Sequence, residues 1–431
     1  MAAKQIKCAR GGGEGRSPKP ARWIACASTK EVARAVAMFV RPGDVVAEIG
    51  SQLRDASHAV CDAVGPEGRA SLVDVRRKFP GKARVSADRG STSAMRREGD
   101  EEEFSERYKD RATFSEVKGF DAWRDALFFK NDGRDGDCES TYDALVVDIS
   151  ANAGNDLVLT SISLVRDFLA INNSISSTSG HEQDDGVKRH CRVVIVKSGG
   201  LQSWARRLVH AVKLIEGGAS DSIRLHLSAT DDEQLEPALP VVVASVGVDE
   251  YRQTMFHVVK RGDYALEVGS HCGVTTALLH GATVVKREGE SCGGCLGVDI
   301  GPKIVEVAKR RYPDVPFAVA DAWRTGRLLG LREALLPTTD MKAVGTNVPH
   351  VTKQRGYDII YVDIGGISGG DGLLEAISLL TGLSNALEPR CIVIKSLCMR
   401  RLASSLVPFS EIWLQEKRRE RQNLVSRGHT H

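Results

Sequence analysis

A repeat about two hundred residues long constrains this chain more than any other feature of its sequence. Residues 41–51 read RPGDVVAEIGS, and residues 260–270 read KRGDYALEVGS. Asp44 and Asp263, Glu48 and Glu267, and Gly50 and Gly269 all stand 219 positions apart. YDALVVDIS at 142–150 matches YDIIYVDIG at 357–365 at an offset of 215, and Ile162-Ser163-Leu164 matches Ile377-Ser378-Leu379 at the same offset. DAWR recurs at 121–124 and 321–324, and RVVIVKS at 192–198 pairs with CIVIKS at 391–396. Four blocks in one order, with a period far longer than a solenoid unit, imply two tandem copies of a single domain. The length of 431 residues fits, since domains run to roughly 100–200 residues each. The expected organisation is a disordered tail over 1–20, a first copy over 21–237 and a second over 238–431, the two pairing within the chain.

Offset drifts locate insertions. The first copy has a charged stretch at about 79–119 without apolar periodicity, expected to be a solvated loop or disordered, and a polar loop at about 171–190. In the second copy, apolar runs that read as buried strands (YALEVGS, CLGVDI, VPFAV, DIIYVDI, CIVIKS) alternate with helical patterns. These helices are expected over DEYRQTMFHVV, VTTALLHGA closed by Gly281, PKIVEVAKRRY and LLEAISLLTGLSNAL. Strands alternating with helices specify an α/β fold: two doubly wound, Rossmann-like domains, each a mostly parallel sheet with helices on both faces. In such sheets ligands bind beyond the C-terminal strand ends.

Composition narrows the function classes. Hydrophobic residues make up 42% and charged residues 27%, which excludes a wholly disordered or fibrous chain. No run approaches the roughly 20 apolar residues of a membrane helix, so no membrane partner is expected. The net charge of +3 is too small to argue for nucleic acid by itself. Ten cysteines are too sparse for a disulfide scaffold and are expected to be reduced. The N-terminus lacks the apolar core of a secretory signal. An intracellular location is expected, cytoplasm or nucleus, with an organelle still open. Cys292-Gly293-Gly294-Cys295 is a single C-x-x-C, and no metal site is expected from it.

Glu267-Val268-Gly269-Ser270-His271-Cys272-Gly273 resembles the first motif, E/D-x-G-x-G-x-G, of class I S-adenosylmethionine-dependent methyltransferases, with His271 at the middle glycine. The resemblance implies that Glu267, Gly269, Gly273, Asp299 and Asp321 hold S-adenosylmethionine, Asp299 through the ribose hydroxyls and Asp321 through the adenine amine. The bland alternative for each aspartate is a turn or helix-capping residue. A nicotinamide-binding domain shares the strand–glycine–helix start, but G-x-G-x-x-G is absent. The first copy keeps Glu48, Gly50 and Asp74 but carries Gln52 and Arg54 at the other glycine positions, which points to lost cofactor binding.

Both copies place an Asp after the fourth strand and a Lys after the fifth: Asp148 with Lys197, and Asp363 with Lys395. This is similar to the fibrillarin-type RNA ribose 2′-O-methyltransferases, which implies Asp363 and Lys395 as catalytic groups and RNA as acceptor. A lysine screened from water can take or steer a hydroxyl proton. The alternative is a strand-end lysine reaching to solvent. The family's earlier lysine matches Lys30 in the first copy, whereas Asp249 stands there in the second. Two function classes therefore stand: a methyltransferase, and a pseudo-methyltransferase that binds or scaffolds without turnover. The C-terminal EKRRERQNLVSRGHTH is a basic run that either touches phosphates or is a solvated surface.

Overall fold

The computed structural model describes residues 20–51, 55–76, 98–118, 120–128, 141–150, 158–178, 190–219, 223–224, 227, 239–287, 290–332 and 356–428. Strands in the first half are β1 (Arg22–Cys26), β2 (Val45–Ile49), β3 (Arg69–Arg76), β4 (Ala112–Lys118), β5 (Ala144–Val147), β6 (Val193–Lys197) and β7 (Leu208–His210). The second half supplies β8 (Val241–Ser245), β9 (Tyr264–Val268), the hairpin β10 (Val285–Arg287) and β11 (Glu290–Cys292), then β12 (Gly294–Asp299), β13 (Phe317–Val319), β14 (Ile359–Val362), β15 (Cys391–Lys395) and β16 (Leu406–Pro408). Between them run α1 (Thr29–Phe39), α2 (Asp55–Val64), α3 (Glu98–Tyr108), α4 (Trp123–Phe128), α5 (Val158–Thr178), α6 (Gly199–Arg207), α7 (Ala211–Ile215), α8 (Val248–Gln253), α9 (Met255–Val258), α10 (Val274–Thr283), α11 (Pro302–Arg311), α12 (Thr325–Leu331), α13 (Gly365–Ser368), α14 (Leu373–Leu387), α15 (Leu397–Ser405) and α16 (Phe409–Gly428).

These form two seven-stranded parallel sheets, ordered β16-β1-β6-β5-β2-β3-β4 and β7-β8-β15-β14-β9-β12-β13. The central strands are buried along their whole length, as for β5 and β14, because helices cover both faces. Each sheet takes its seventh strand from the other half. β7 pairs with β8 (Leu208↔Val242), and β16 pairs with β1 (Trp23↔Leu406). This reciprocal exchange covers what would be an open edge on each sheet, a standing invitation to aggregation. It also means that a boundary at 237/238, which lies outside the described residues, does not divide the chain into two self-contained sheets.

Matched buried pairs hold the strand starts in place. Asp44 pairs with Arg192, and Asp263 with Arg390 at 2.8 Å. Asp143 accepts from Val45 N at 2.9 Å, and Asp358 from Tyr264 N at 2.7 Å. The helix that follows each first strand is tied alike: Glu31 Oε2 accepts from Ala27 N at 2.7 Å, and Glu250 Oε2 from Val246 N at 3.1 Å. In each case a side chain satisfies an orphan backbone donor near a helix start.

Several expectations need correction. The charged stretch at 79–119 is not simply a solvated loop: its C-terminal part forms α3 and β4, and β4 pairs with β3 from Ala70↔Ala112 to Arg76↔Lys118. Burial of Phe104 and Tyr108 on one face of α3 offsets its high charge. The proposed polar loop at 171–190 begins inside α5, which runs to Thr178, and 179–189 lie outside the described residues. The helix expected over DEYRQTMFHVV is broken at Thr254 into α8 and α9. α10 runs past Gly281 to Thr283. The tail over 1–19, Gln52, Arg54 and His429 to His431 also lie outside the described residues.

Candidate functional site

In the second sheet the chain runs from β9 outward to β12 and β13, then crosses back to β14 on the other side. This reversal leaves a crevice at the C-terminal ends of β9 and β14, where ligands of doubly wound sheets bind. A cavity of about 240 Å³ lies there. Its lining includes Gly269 after β9, Asp299 at the end of β12, Asp321 after β13 and Asp363 after β14. Four residues singled out from sequence, spread over 95 positions, thus meet in one cleft.

Gly269 has φ +81°, and a Cβ there would lie 2.1 Å from the carbonyl oxygen of Asp363. The glycine is required by close approach of neighbouring strand ends as well as by the turn. His271, at the middle glycine position, takes the left-handed conformation at φ 47°. Its backbone N–H donates to Asp299 Oδ2 at 3.0 Å, and Gly301 N donates to Asp299 Oδ1 at 3.0 Å. Two backbone donors fix the Asp299 carboxylate, yet each oxygen keeps a lone pair for a further donor. Asp321 Oδ1 accepts from Trp323 N at 3.0 Å, which orients it in the same way.

Glu267 and Gly273 do not line this cavity. Glu267 is 2% exposed and accepts a hydrogen bond from the Thr276 hydroxyl on α10. Burial pushes its carboxyl up to about 8; the Thr276 bond opposes this, and the nearby Asp363 charge adds to it. Gly273 caps α10 at φ +81°, and a Cβ there would lie 2.6 Å from the Phe317 ring. Both act on the shape of the turn. Lys395, half-buried at the end of β15, is ion-paired with Asp363 and presents itself as a donor to that carboxylate. Sequence reasoning missed Ile300, 73% exposed, and Trp323, 52% exposed, which line the cavity and leave apolar surface at its mouth. Each directly follows or flanks an acid already singled out, so the signal was an apolar residue where the chain should turn to water.

The first half carries the same foundation and a different end. Gly50 has φ +87°, and a Cβ there would lie 2.1 Å from Asp148 O. Glu48 accepts from Ser57 at 2.9 Å, and its carboxyl is likewise pushed up to about 8 by burial. Lys197 donates to Asp148 at 2.9 Å and to Ser150 at 2.9 Å. Asp74, however, sits inside β3, which continues two residues beyond it in register with β4, and it is 6% exposed. Lys30 on α1 and Asp249 on α8 are exposed. Among the described residues, no cluster of His, Cys, Asp or Glu could hold a metal ion, and no helix is long and apolar enough to cross a membrane.

No family model matches the chain, and no curated protein matches it. Among solved structures it aligns with a TehB-like SAM-dependent methyltransferase from Corynebacterium glutamicum at 18% identity and TM-score 0.21, over 33% of this chain and 60% of that one. A cyclopropane-fatty-acyl-phospholipid synthase-like protein from Lactobacillus casei aligns at 17% identity and TM-score 0.22, over 33% and 45%. Phosphoethanolamine N-methyltransferase 2 of Haemonchus contortus, in complex with S-adenosyl-L-methionine, aligns at 12% identity and TM-score 0.21, over 85% of this chain and 75% of that one. The chain thus spans less than two thirds of the first two proteins, and superpositions this loose carry no functional argument.

Proposed function

We propose that this chain is an S-adenosylmethionine-dependent methyltransferase whose cofactor lies in the second half. The observation that carries the proposal is the convergence of Gly269, Asp299, Asp321 and Asp363 on one cavity at the switch point of a parallel sheet. The donor set fits the group. Asp299 and Asp321 are acceptors already oriented by backbone N–H groups, suited to a ribose diol and an exocyclic amine. Ile300 and Trp323 offer apolar surface for a flat base.

When bound, the cofactor supplies an electrophilic methyl group on a sulfonium. The chain's part is positioning, which supplies much of the rate in an in-line displacement. Asp363 stands at the cavity wall with Lys395 donating to it, so the pair can orient an acceptor nucleophile and receive the proton it loses. The ribose hydroxyl of RNA remains a reading that this Asp–Lys pair supports, without the earlier lysine of the fibrillarin-type pattern. In the first half the matching acid is enclosed by the extended β3–β4 pairing, and we assign that half a structural role, as the diverged copy of a duplicated domain.

The test is isothermal titration of S-adenosylhomocysteine, the demethylated product, into the full-length chain. One site per chain is expected, and in a separate assay transfer of tritiated methyl groups from S-adenosylmethionine to an acceptor in a fractionated extract. Binding without transfer to any acceptor supports the scaffold reading instead, and no binding by the folded protein rejects the cofactor assignment.

A further inference from the structure

Another cavity lies apart from the proposed cofactor cleft. It measures about 700 Å³ and lies where the two halves meet, within the size range of small-molecule sites. One wall comes from the first half, through Trp23 at the start of β1 and Arg166 on α5; the other comes from the second half, through Arg400 and Arg401 on α15. Its position relative to the second sheet is telling. Val246 follows β8, His210 ends β7, and Leu397 stands two residues after Lys395, so the cavity opens at the C-terminal edge that also carries the cofactor cleft.

Its charge is one-sided. The lining holds three arginines and two histidines, and no carboxylate among the described residues. Arg400 is neutralised by Glu250 at 2.8 Å. Among the described residues, Arg166 donates to the backbone carbonyl of Asp371, at 3.3 Å, and Arg401 makes no ion pair. The Nδ1 atom of His190 is buried there without a hydrogen-bond partner among the described residues.

The fold repeats this cavity but not its charge. A second cavity, of about 510 Å³, occupies the matching place at the other face of the junction. At the 215 offset Thr381 stands for Arg166, and at the 198 offset of Lys197 and Lys395, Ser203 stands for Arg401. Its one arginine, Arg207, stacks 4.4 Å over Trp204 and donates to Pro240 O at 3.4 Å, so it is used in packing. Arg166 and Arg401 are therefore not demanded by the architecture.

We propose that the 700 Å³ cavity binds the methyl acceptor, a small organic molecule with an apolar body and an oxyanionic group, phosphate or carboxylate, held by Arg166 and Arg401. This rests on the cofactor reading for the acceptor's role, not for the anion site itself. Two guanidinium groups, one from each half, bind such a group through paired N–H donors. The apolar walls take the body, at the same C-terminal edge of the second sheet that carries Asp363 and Lys395.

The test titrates phenyl phosphate and benzoate separately into the full-length chain, with and without S-adenosylhomocysteine. At least one anion is expected to bind, and the preferred arm identifies the oxyanion. Arg166→Gln combined with Arg401→Gln is expected to weaken that binding at least tenfold while leaving S-adenosylhomocysteine affinity unchanged, with Arg401→Lys recovering part of the loss. Unchanged thermal midpoints keep a folding defect apart from a lost site. Failure of both anions to bind, or equal binding by the double variant, overturns the proposal. So does binding of single-stranded RNA through the same arginines with no binding of either aryl anion. Anion binding that follows the arginines while S-adenosylhomocysteine does not bind overturns the acceptor role and the cofactor reading, and leaves the anion site standing.

Discussion

The two halves of this molecule agree below the strand ends and part company above them. Below, Gly50 and Gly269 face the carbonyls of Asp148 and Asp363 at the same 2.1 Å from a notional Cβ, and Glu48 and Glu267 are buried on a hydroxyl of the following helix. Above, β12 stops at Asp299, whose carboxylate is partly exposed and fixed by two backbone donors, whereas β3 runs on past Asp74 and encloses it. The foundation answers to packing, which any variant must satisfy to fold. In the proposed reading the open strand end answers to a ligand, and the matching end in the first half has become more sheet. Scaffold and site are thus separable within one topology.

The comparison can be broken most severely by separating the halves. Chains 1–230 and 231–431 made alone each lack the strand that the other donates, and neither is expected to show a cooperative unfolding transition; mixing them should restore it. Cooperative melting of either half alone would mean that β7 and β16 are dispensable. Next in size, Gly50→Ala and Gly269→Ala should each cost about 3 kcal/mol in urea unfolding, because backbone must move to admit the methyl group. Tolerance at one position and not the other would show that the shared foundation is only apparent.

A smaller effect sharpens the difference above the strand ends. Asp299→Ala should weaken S-adenosylhomocysteine roughly tenfold to a hundredfold by calorimetry, the loss expected for hydrogen bonds to a charged acceptor. Asp74→Ala should leave that affinity unchanged, and an equal loss in both would restore the first half as a binding site.

The foundation that the two halves share also has a pH dependence. Glu48 and Glu267 are held up to about 8, above their ordinary 4.5, chiefly by burial. Between those values the folded chain keeps protons that the unfolded chain releases. The stabilisation is complete below about pH 4.5 and is lost as pH rises toward 8. Glu48→Gln and Glu267→Gln should each flatten that decline in unfolding measured across the range, and a slope unchanged by either would show that the carboxyls ionise normally.

How much of this was legible beforehand follows from what each signal depends on. β14, α14 and β15 lie where apolar runs and helical spacing put them, because a strand buried on both faces and an amphipathic helix are local patterns. α3 and β4 were hidden in a charge-rich stretch, since only the pairing of β4 with β3 and the packing of Phe104 and Tyr108 on His58 of α2 make them worth ordering. The glycine turn was recognisable, but the work of its parts was not: Gly273 makes room for the Phe317 ring, 44 residues away, and Glu267 lies under the turn on Thr276.

By itself, then, the sequence determined two parallel α/β sheets and the residues that end their strands, because periodicity and offset are written in neighbouring positions. Only the tertiary structure decided that each sheet borrows its last strand from the other half, that Asp299 is open where Asp74 is enclosed, and that Arg166 and Arg401 face one cavity. Those outcomes depend on packing between separate segments, from 34 residues apart for Leu208 on Val242 to 383 for Trp23 on Leu406, and no local pattern encodes which of two matched strand ends will be covered.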